Sequence, residues 1–138
     1  HMQGNPAIMQ REPRYEDCAR DVAAWLSERL DAARRAGIGD DCVALDPGVG
    51  FGKTARHSLE LIARLDGLAA LGRPVLLGAS RKSFIGHLTG AALDQRLEGG
   101  LAAHAIAVFL GARVIRTHDV AATARAVAIA NALSRARR

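Results

Sequence analysis

The stretch Cys42-Val43-Ala44-Leu45-Asp46-Pro47-Gly48-Val49-Gly50-Phe51-Gly52-Lys53-Thr54 decides the fold class. A short apolar run ends in a carboxylate, and closely spaced glycines follow before the next helical pattern. The run Cys42 to Leu45 reads as a strand covered on both faces. The glycines permit positive φ and let the loop turn tightly beside a ligand. The same texture returns twice. Val75 to Leu77 runs into Gly78-Ala79-Ser80-Arg81-Lys82-Ser83, and Ala112 to Ile115 runs into Arg116-Thr117-His118-Asp119. Helical periodicity fills the intervals: Tyr15 to Ala36, Ser58 to Leu71, Gln95 to Leu110 and Ala121 to Ala136. In the first, Val22, Trp25, Leu26, Arg29 and Leu30 form one stripe. Gly37, Gly72 and Gly111 stop the first three. Repeated β-α units of this length predict right-handed crossovers and a parallel sheet in an α/β fold. The rhythm alone leaves a closed barrel and an open doubly wound sheet both possible. No linker or low-complexity segment divides the chain, so residues 1–138 read as one domain.

Ligands of either architecture sit at the carboxyl ends of the strands. Asp46 stands at one such end, where its carboxylate would accept two parallel N–H bonds from a planar heterocycle. Past the next strand, a short helix is expected to open at Ser80 or Arg81, offering free N–H groups to an anion, with Lys82 adding a point charge and Ser83 holding a carboxylate. Past the third, alternation puts Arg116 and His118 on one side, a fork of donors beside an imidazole that together suit a diphosphate. Asp119 is expected to cap the last helix. Asp46, Lys82, Arg116 and His118 should therefore gather around one pocket. Gly52-Lys53-Thr54 nearly completes a phosphate-binding P-loop, but Pro47 occupies its first glycine position and has no N–H to give.

Composition narrows the classes. With 49% hydrophobic and 24% charged residues the chain has the mix of a soluble globular protein. No apolar run is long enough for a membrane span and no leader is evident, so a cytoplasmic location and no membrane partner are expected. The net charge of +5 comes mostly from arginines spread along helices, with Arg125, Arg135, Arg137 and Arg138 near the end. Aromatics make up only 4%, too few for base-stacking platforms, so no nucleic-acid partner is expected. Cys18 and Cys42 lack Cys-x-x-Cys spacing and read as small buried or half-buried residues. His57, His87 and His104 lack metal-ligand spacing and read as structural or solvated. No metal ligands are expected.

Four motifs, in order, resemble dihydropteroate synthase. They are Asp-Pro-Gly-Val-Gly-Phe-Gly-Lys-Thr (46–54), Gly-Ala-Ser-Arg-Lys-Ser-Phe-Ile-Gly (78–86), Arg-Leu-Glu-Gly-Gly-Leu-Ala-Ala (96–103) and Arg-Thr-His-Asp-Val (116–120). The opening His1-Met2-Gln3-Gly4-Asn5-Pro6 looks like that family's segment after the fifth strand. The resemblance implies a TIM (β/α)8 barrel, here a partial barrel of about strands six to eight with helices five to eight. It implies condensation of 6-hydroxymethyl-7,8-dihydropterin diphosphate with 4-aminobenzoate, releasing diphosphate. Asp46 would bind the pterin edge, and Lys82 would contact the pterin and flank the aminobenzoate. Phe51 and Gly78 would line the pocket, and Ser83 would hold the aminobenzoate carboxylate. Arg116 and His118, with Thr117 beside them, would hold the diphosphate; Lys82, Arg116 and His118 are the catalytic candidates. The resemblance also implies Mg²⁺, with its main protein ligand in an N-terminal half that this chain lacks, as well as a homodimer and sensitivity to sulfonamides. The chain alone is then expected to be inactive. A non-catalytic pterin-binding or interaction module that complements another half is the alternative. A corrinoid-dependent pterin methyltransferase is disfavoured by the Ser-Arg-Lys-Ser and Arg-Thr-His motifs.

Overall fold

A computed structural model describes residues 1–137; Arg138, the last of the terminal arginines, lies outside the described residues. Six helices and two regular strands follow the expected order. They are α1 (Cys18–Arg35), α2 (Ala55–Ala63), α3 (Leu65–Ala69), β1 (Leu76–Leu77), α4 (Ser83–Thr89), α5 (Leu97–Phe109), β2 (Val114–Ile115) and α6 (Val120–Ala136). β1 and β2 pair in parallel, Leu76 opposite Val114 and Leu77 opposite Ile115. Leu45 adds an isolated parallel bridge to Val75 on the other side. Three successive strand ends therefore lie side by side in chain order.

The expected strand from Cys42 to Leu45 is a correction. Asp40–Cys42 closes a 3₁₀ turn, and only Leu45 joins the sheet, donating to the Pro74 carbonyl and accepting from Leu76, both at 2.8 Å. Extended backbone counts as a strand only where a neighbour supplies a ladder, and these residues have one at a single position. Cys42 is consequently exposed, whereas Cys18 is buried.

α1 begins three residues later than expected because Asp17 caps it, accepting the Arg20 N–H at 2.9 Å. Its buried stripe is Cys18, Ala19, Val22, Leu26 and Leu30. Trp25 and Arg29 lie on the exposed rim instead, where the guanidinium stacks 5.5 Å from the indole. The helix expected over Ser58 to Leu71 starts earlier and breaks at Arg64 (φ −112, ψ 29), giving α2 and α3. Thr54 and His57 form a reciprocal capping box at the start of α2, so His57 is structural. Leu61, Leu65, Leu68, Val75, Leu77 and Ala107 have essentially no exposure and form the centre of the core. This packing of helices over a parallel sheet fixes where the strand ends, and hence the loops beyond them, are held.

Candidate active site

The loop after Leu45 is pinned by its own carboxylate. Asp46 Oδ1 accepts the Gly48 N–H at 2.8 Å, and the Asp46 carbonyl accepts from the His1 amino nitrogen at 2.8 Å. Asp46 is half-buried, with Oδ2 making no protein hydrogen bond among the described residues. Gly50 has φ +79, and a Cβ there would sit 3.2 Å from Lys82 Cδ. The glycine is thus what lets the Lys82 stem cross the loop. Lys82 Nζ ends 3.7 Å from the centre of the Phe51 ring, a cation–π contact. Burial pushes the Lys82 pKa down, the nearby Arg116 charge lowers it further, and Asp46 works against both.

The Gly78-to-Ser83 segment departs from the expected helix start. Arg81 has φ +58, a left-handed conformation that an α-helix cannot contain, so α4 begins at Ser83. Ser83 is exposed at the first position of α4 and does not line the cavity beside it. Gly78 has its own close neighbour: a Cβ would meet the Arg116 guanidinium at 3.0 Å, so the fork lies flat on the end of β1.

The cavity at the ends of β1 and β2 has a volume of about 410 Å³, and Gly78, Lys82, Arg116, Thr117 and His118 are among its walls. Three of the four groups expected to converge thus share one wall. Asp46 and Phe51 join them through Lys82 rather than by lining the same space. Thr117 faces both ways: it borders the cavity, yet its hydroxyl bonds to Thr123 of α6 at 3.0 Å and accepts the Asp119 N–H. A larger cavity of about 660 Å³ lies by Pro74 and Arg113, where the strands begin. We assign the chemistry to the smaller one, because parallel α/β sheets carry their sites at the carboxyl ends.

Asp119 requires a second correction. It stands at the N-cap position of α6 but makes no side-chain bond to that helix. Its carboxylate instead pairs with Arg81 at 2.9 Å, joining the second and third loops. The guanidinium fork within reach offers two donors and a full opposite charge, with Nη2 at 2.9 Å and Nε at 3.4 Å from the two carboxylate oxygens.

Several supporting contacts escaped the sequence reading, while His87 and His104 are solvated and structural as expected. Ser80 Oγ lies 2.9 Å from His118 Nδ1 and accepts the His118 backbone N–H at 3.2 Å. His104 is 1% exposed, and its Nε2 accepts the Ala79 N–H at 3.0 Å. Burial lowers its pKa, so it serves as a neutral acceptor. His87 is exposed on α4. Arg96 donates to the Ala91 and Arg81 carbonyls at 3.2 and 3.3 Å. Gly99 packs against Ile85 and Gly100 against the Ser80 backbone, which accounts for the small residues opening α5. Lys53 is 4% exposed and donates to the Phe51 carbonyl at 3.0 Å, with His1 Nδ1 also at 3.0 Å. Burial pulls its pKa down to about 8. Among the described residues no three His, Cys, Asp or Glu side chains form a metal site.

Against known proteins, the family pattern described as pterin binding enzyme matches residues 1–118. Escherichia coli K12 dihydropteroate synthase is 42% identical over 132 residues, covering 96% of this chain and 47% of that protein. The Yersinia pestis dihydropteroate synthase, solved with a sulfonamide drug complex, superposes with a TM-score of 0.94 at 40% identity, covering 99% of this chain and 50% of that one. The Xanthomonas albilineans enzyme in complex with 7,8-dihydropteroate superposes at 0.86 with 44% identity, over 96% of this chain and 48% of that one. The chain spans about half the length of the curated relatives it matches.

Proposed function

The chain belongs to the pterin binding enzyme family, and from that premise we propose that it supplies the carboxyl-terminal part of a dihydropteroate synthase site. The observation that carries the proposal is the wall of Lys82, Arg116 and His118 on one cavity, two basic side chains beside an imidazole, with Phe51 beneath the ammonium. In the reaction, the amine nitrogen of 4-aminobenzoate forms a bond to the pterin methylene carbon. The carbon–oxygen bond to diphosphate breaks, the electron pair leaves with the diphosphate, and the amine proton passes to solvent. An arylamine is neutral at pH 7 and needs no strong base, so charge stabilisation of the leaving group is the main lever. Arg116 would fork onto the diphosphate, His118 would donate an imidazole N–H, and Thr117 would add its backbone. Lys82 would bridge pterin and aminobenzoate, while Asp46 Oδ2 would accept from the pterin edge. Ser83, at the start of α4, would receive the aminobenzoate carboxylate.

The architecture we propose is a partial TIM barrel, supported by the three side-by-side parallel strand ends and the solved neighbours. The described residues do not by themselves fit a magnesium cage; diphosphate oxygens would carry that ion. A homodimer is supported by the apolar groove between α5 and α6, where Ile106, Ile129 and Leu133 are 51%, 64% and 58% exposed. The described helices include none long and apolar enough to cross a membrane, which accords with a cytoplasmic location.

The test is calorimetric titration of the chain with 6-hydroxymethyl-7,8-dihydropterin diphosphate, alongside an assay of dihydropteroate formation. Binding with little turnover is expected. Absence of binding at millimolar ligand would remove the reading, and robust turnover would show that these residues suffice for chemistry. A non-catalytic binding module is the second reading, favoured by β2, which pairs on one side only among the described residues and leaves Val114 40% exposed.

A further inference from the structure

We propose that Ser80 is a positioning residue that sets the ring tautomer of His118, so that Nε2–H faces an anionic ligand; this rests on the anion-binding reading of the cavity. A hydroxyl has one hydrogen and two lone pairs. One lone pair of Ser80 Oγ is taken by the His118 backbone N–H at 3.2 Å. The other side-chain contact of Oγ among the described residues is His118 Nδ1, at 2.9 Å, and in the proposed arrangement the hydroxyl hydrogen points there. The neutral ring then carries its proton on Nε2. Because Nδ1 is occupied inside the protein, Nε2 is the nitrogen left for a ligand. With the other tautomer, Nε2 would aim a lone pair at an anion's oxygen, turning an attraction into a repulsion.

Ser80 is itself held from behind. The neighbouring Ala79 N–H is fixed on buried His104 of α5 at 3.0 Å, and the Ser80 backbone packs against Gly100 of the same helix. Arg81 and Asp119, the residues next to Ser80 and His118, are clamped together at 2.9 Å. The Ser80 loop is therefore held to α5 at two points and tied to the His118 loop by the Arg81–Asp119 pair. The charged groups around the ring are Lys82, Arg116 and the Arg81–Asp119 pair.

The experiment compares the unmodified chain with Ser80→Ala and Ser80→Thr by two-bond ¹⁵N–¹H imidazole spectra and by titration with sodium diphosphate. At pH 8 the unmodified chain should show His118 as the Nε2–H tautomer. S80A should show a raised Nδ1–H fraction and about tenfold weaker diphosphate binding, and S80T should restore both. An unchanged tautomer in S80A, or a shifted tautomer with unaltered diphosphate affinity, would overturn the proposal. The tautomer is read without ligand. If the unmodified chain fails to bind diphosphate while the S80A tautomer still shifts, the anion reading falls and the Ser80–His118 coupling stands.

Discussion

The two lysines of this chain occupy neighbouring loops and share an environment, yet they have opposite duties. Each has its pKa lowered, with burial the largest cause. Each sits over an aromatic ring, Lys53 at 5.8 Å from the centre of Tyr15 and Lys82 at 3.7 Å from that of Phe51. The difference is in the remaining donors. Lys53 Nζ is within hydrogen-bond distance of the Phe51 carbonyl and of His1. Lys82 Nζ has no protein hydrogen bond among the described residues, and its side chain borders the cavity. An ammonium has three donors, and a group kept partly dry without protein acceptors is poised for a ligand. A depressed pKa alone therefore does not identify a functional lysine; the partner inventory does.

Exchanging each lysine for methionine should separate these duties. K82M should lower affinity for the pterin diphosphate on the order of a hundredfold, the worth of a charge-assisted bond, while shifting stability by less than about 0.5 kcal/mol. K53M should do the reverse. Removing its donor leaves a carbonyl and a ring nitrogen without partners in a dry place, costing about 1–3 kcal/mol of folding stability. Urea denaturation and ligand titration on both variants check the pair. Equal stability losses, with no difference in affinity, would erase the distinction.

Gly50 is where the two loops touch, so it tests whether they are mechanically separate. G50A places a Cβ at a residue with φ +79 and 3.2 Å from Lys82 Cδ. The left-handed backbone should cost about 1–2 kcal/mol, and the Lys82 stem must move. Affinity should fall with stability in this variant, unlike in either lysine substitution. A stability loss with unaltered affinity would mean that Lys82 finds its place without the glycine.

Most of this arrangement was legible in the residues, and the failures share one cause. The β-α rhythm, the helix-stopping Gly37 and Gly72 and the wall of Lys82, Arg116 and His118 all depend on local periodicity. Residues 42–44 failed as a strand because a ladder depends on the neighbour and not on the apolar run. Asp119 satisfied the local rule for an N-cap, but Arg81, distant in sequence, took its carboxylate. The break at Arg64 coincides with an ion pair to Asp17 across the fold at 2.7 Å. His104 read as structural or solvated, and what makes it structural is a backbone N–H on another element. Ser80 lay inside a quoted motif, but its role appears only once β1 and β2 are side by side.

The smallest effect separating the lysines is in the alkaline limb of stability. Lys53 titrates near pH 8 when folded against an ordinary 10.5. Between those values the unfolded chain holds the extra proton, so raising the pH favours the folded state. Cys18 acts in the opposite sense, since burial moves its thiol from 9.0 to about 11, and the unfolded chain ionises first above pH 9. Tyr15, moved from 10.0 to about 12 chiefly by burial, adds a second loss above pH 10. The denaturation midpoint should therefore rise from pH 8 to 9, flatten, and fall beyond 10. The lowered pKa of Lys82 contributes with the same sign as that of Lys53, so the comparison with K53M isolates the latter. That variant should lose part of the rise, with a ceiling of about 1.4 kcal/mol per pH unit for one proton. A rise left intact in K53M would assign it to Lys82, and the buried ammonium would then be no drier than its neighbour.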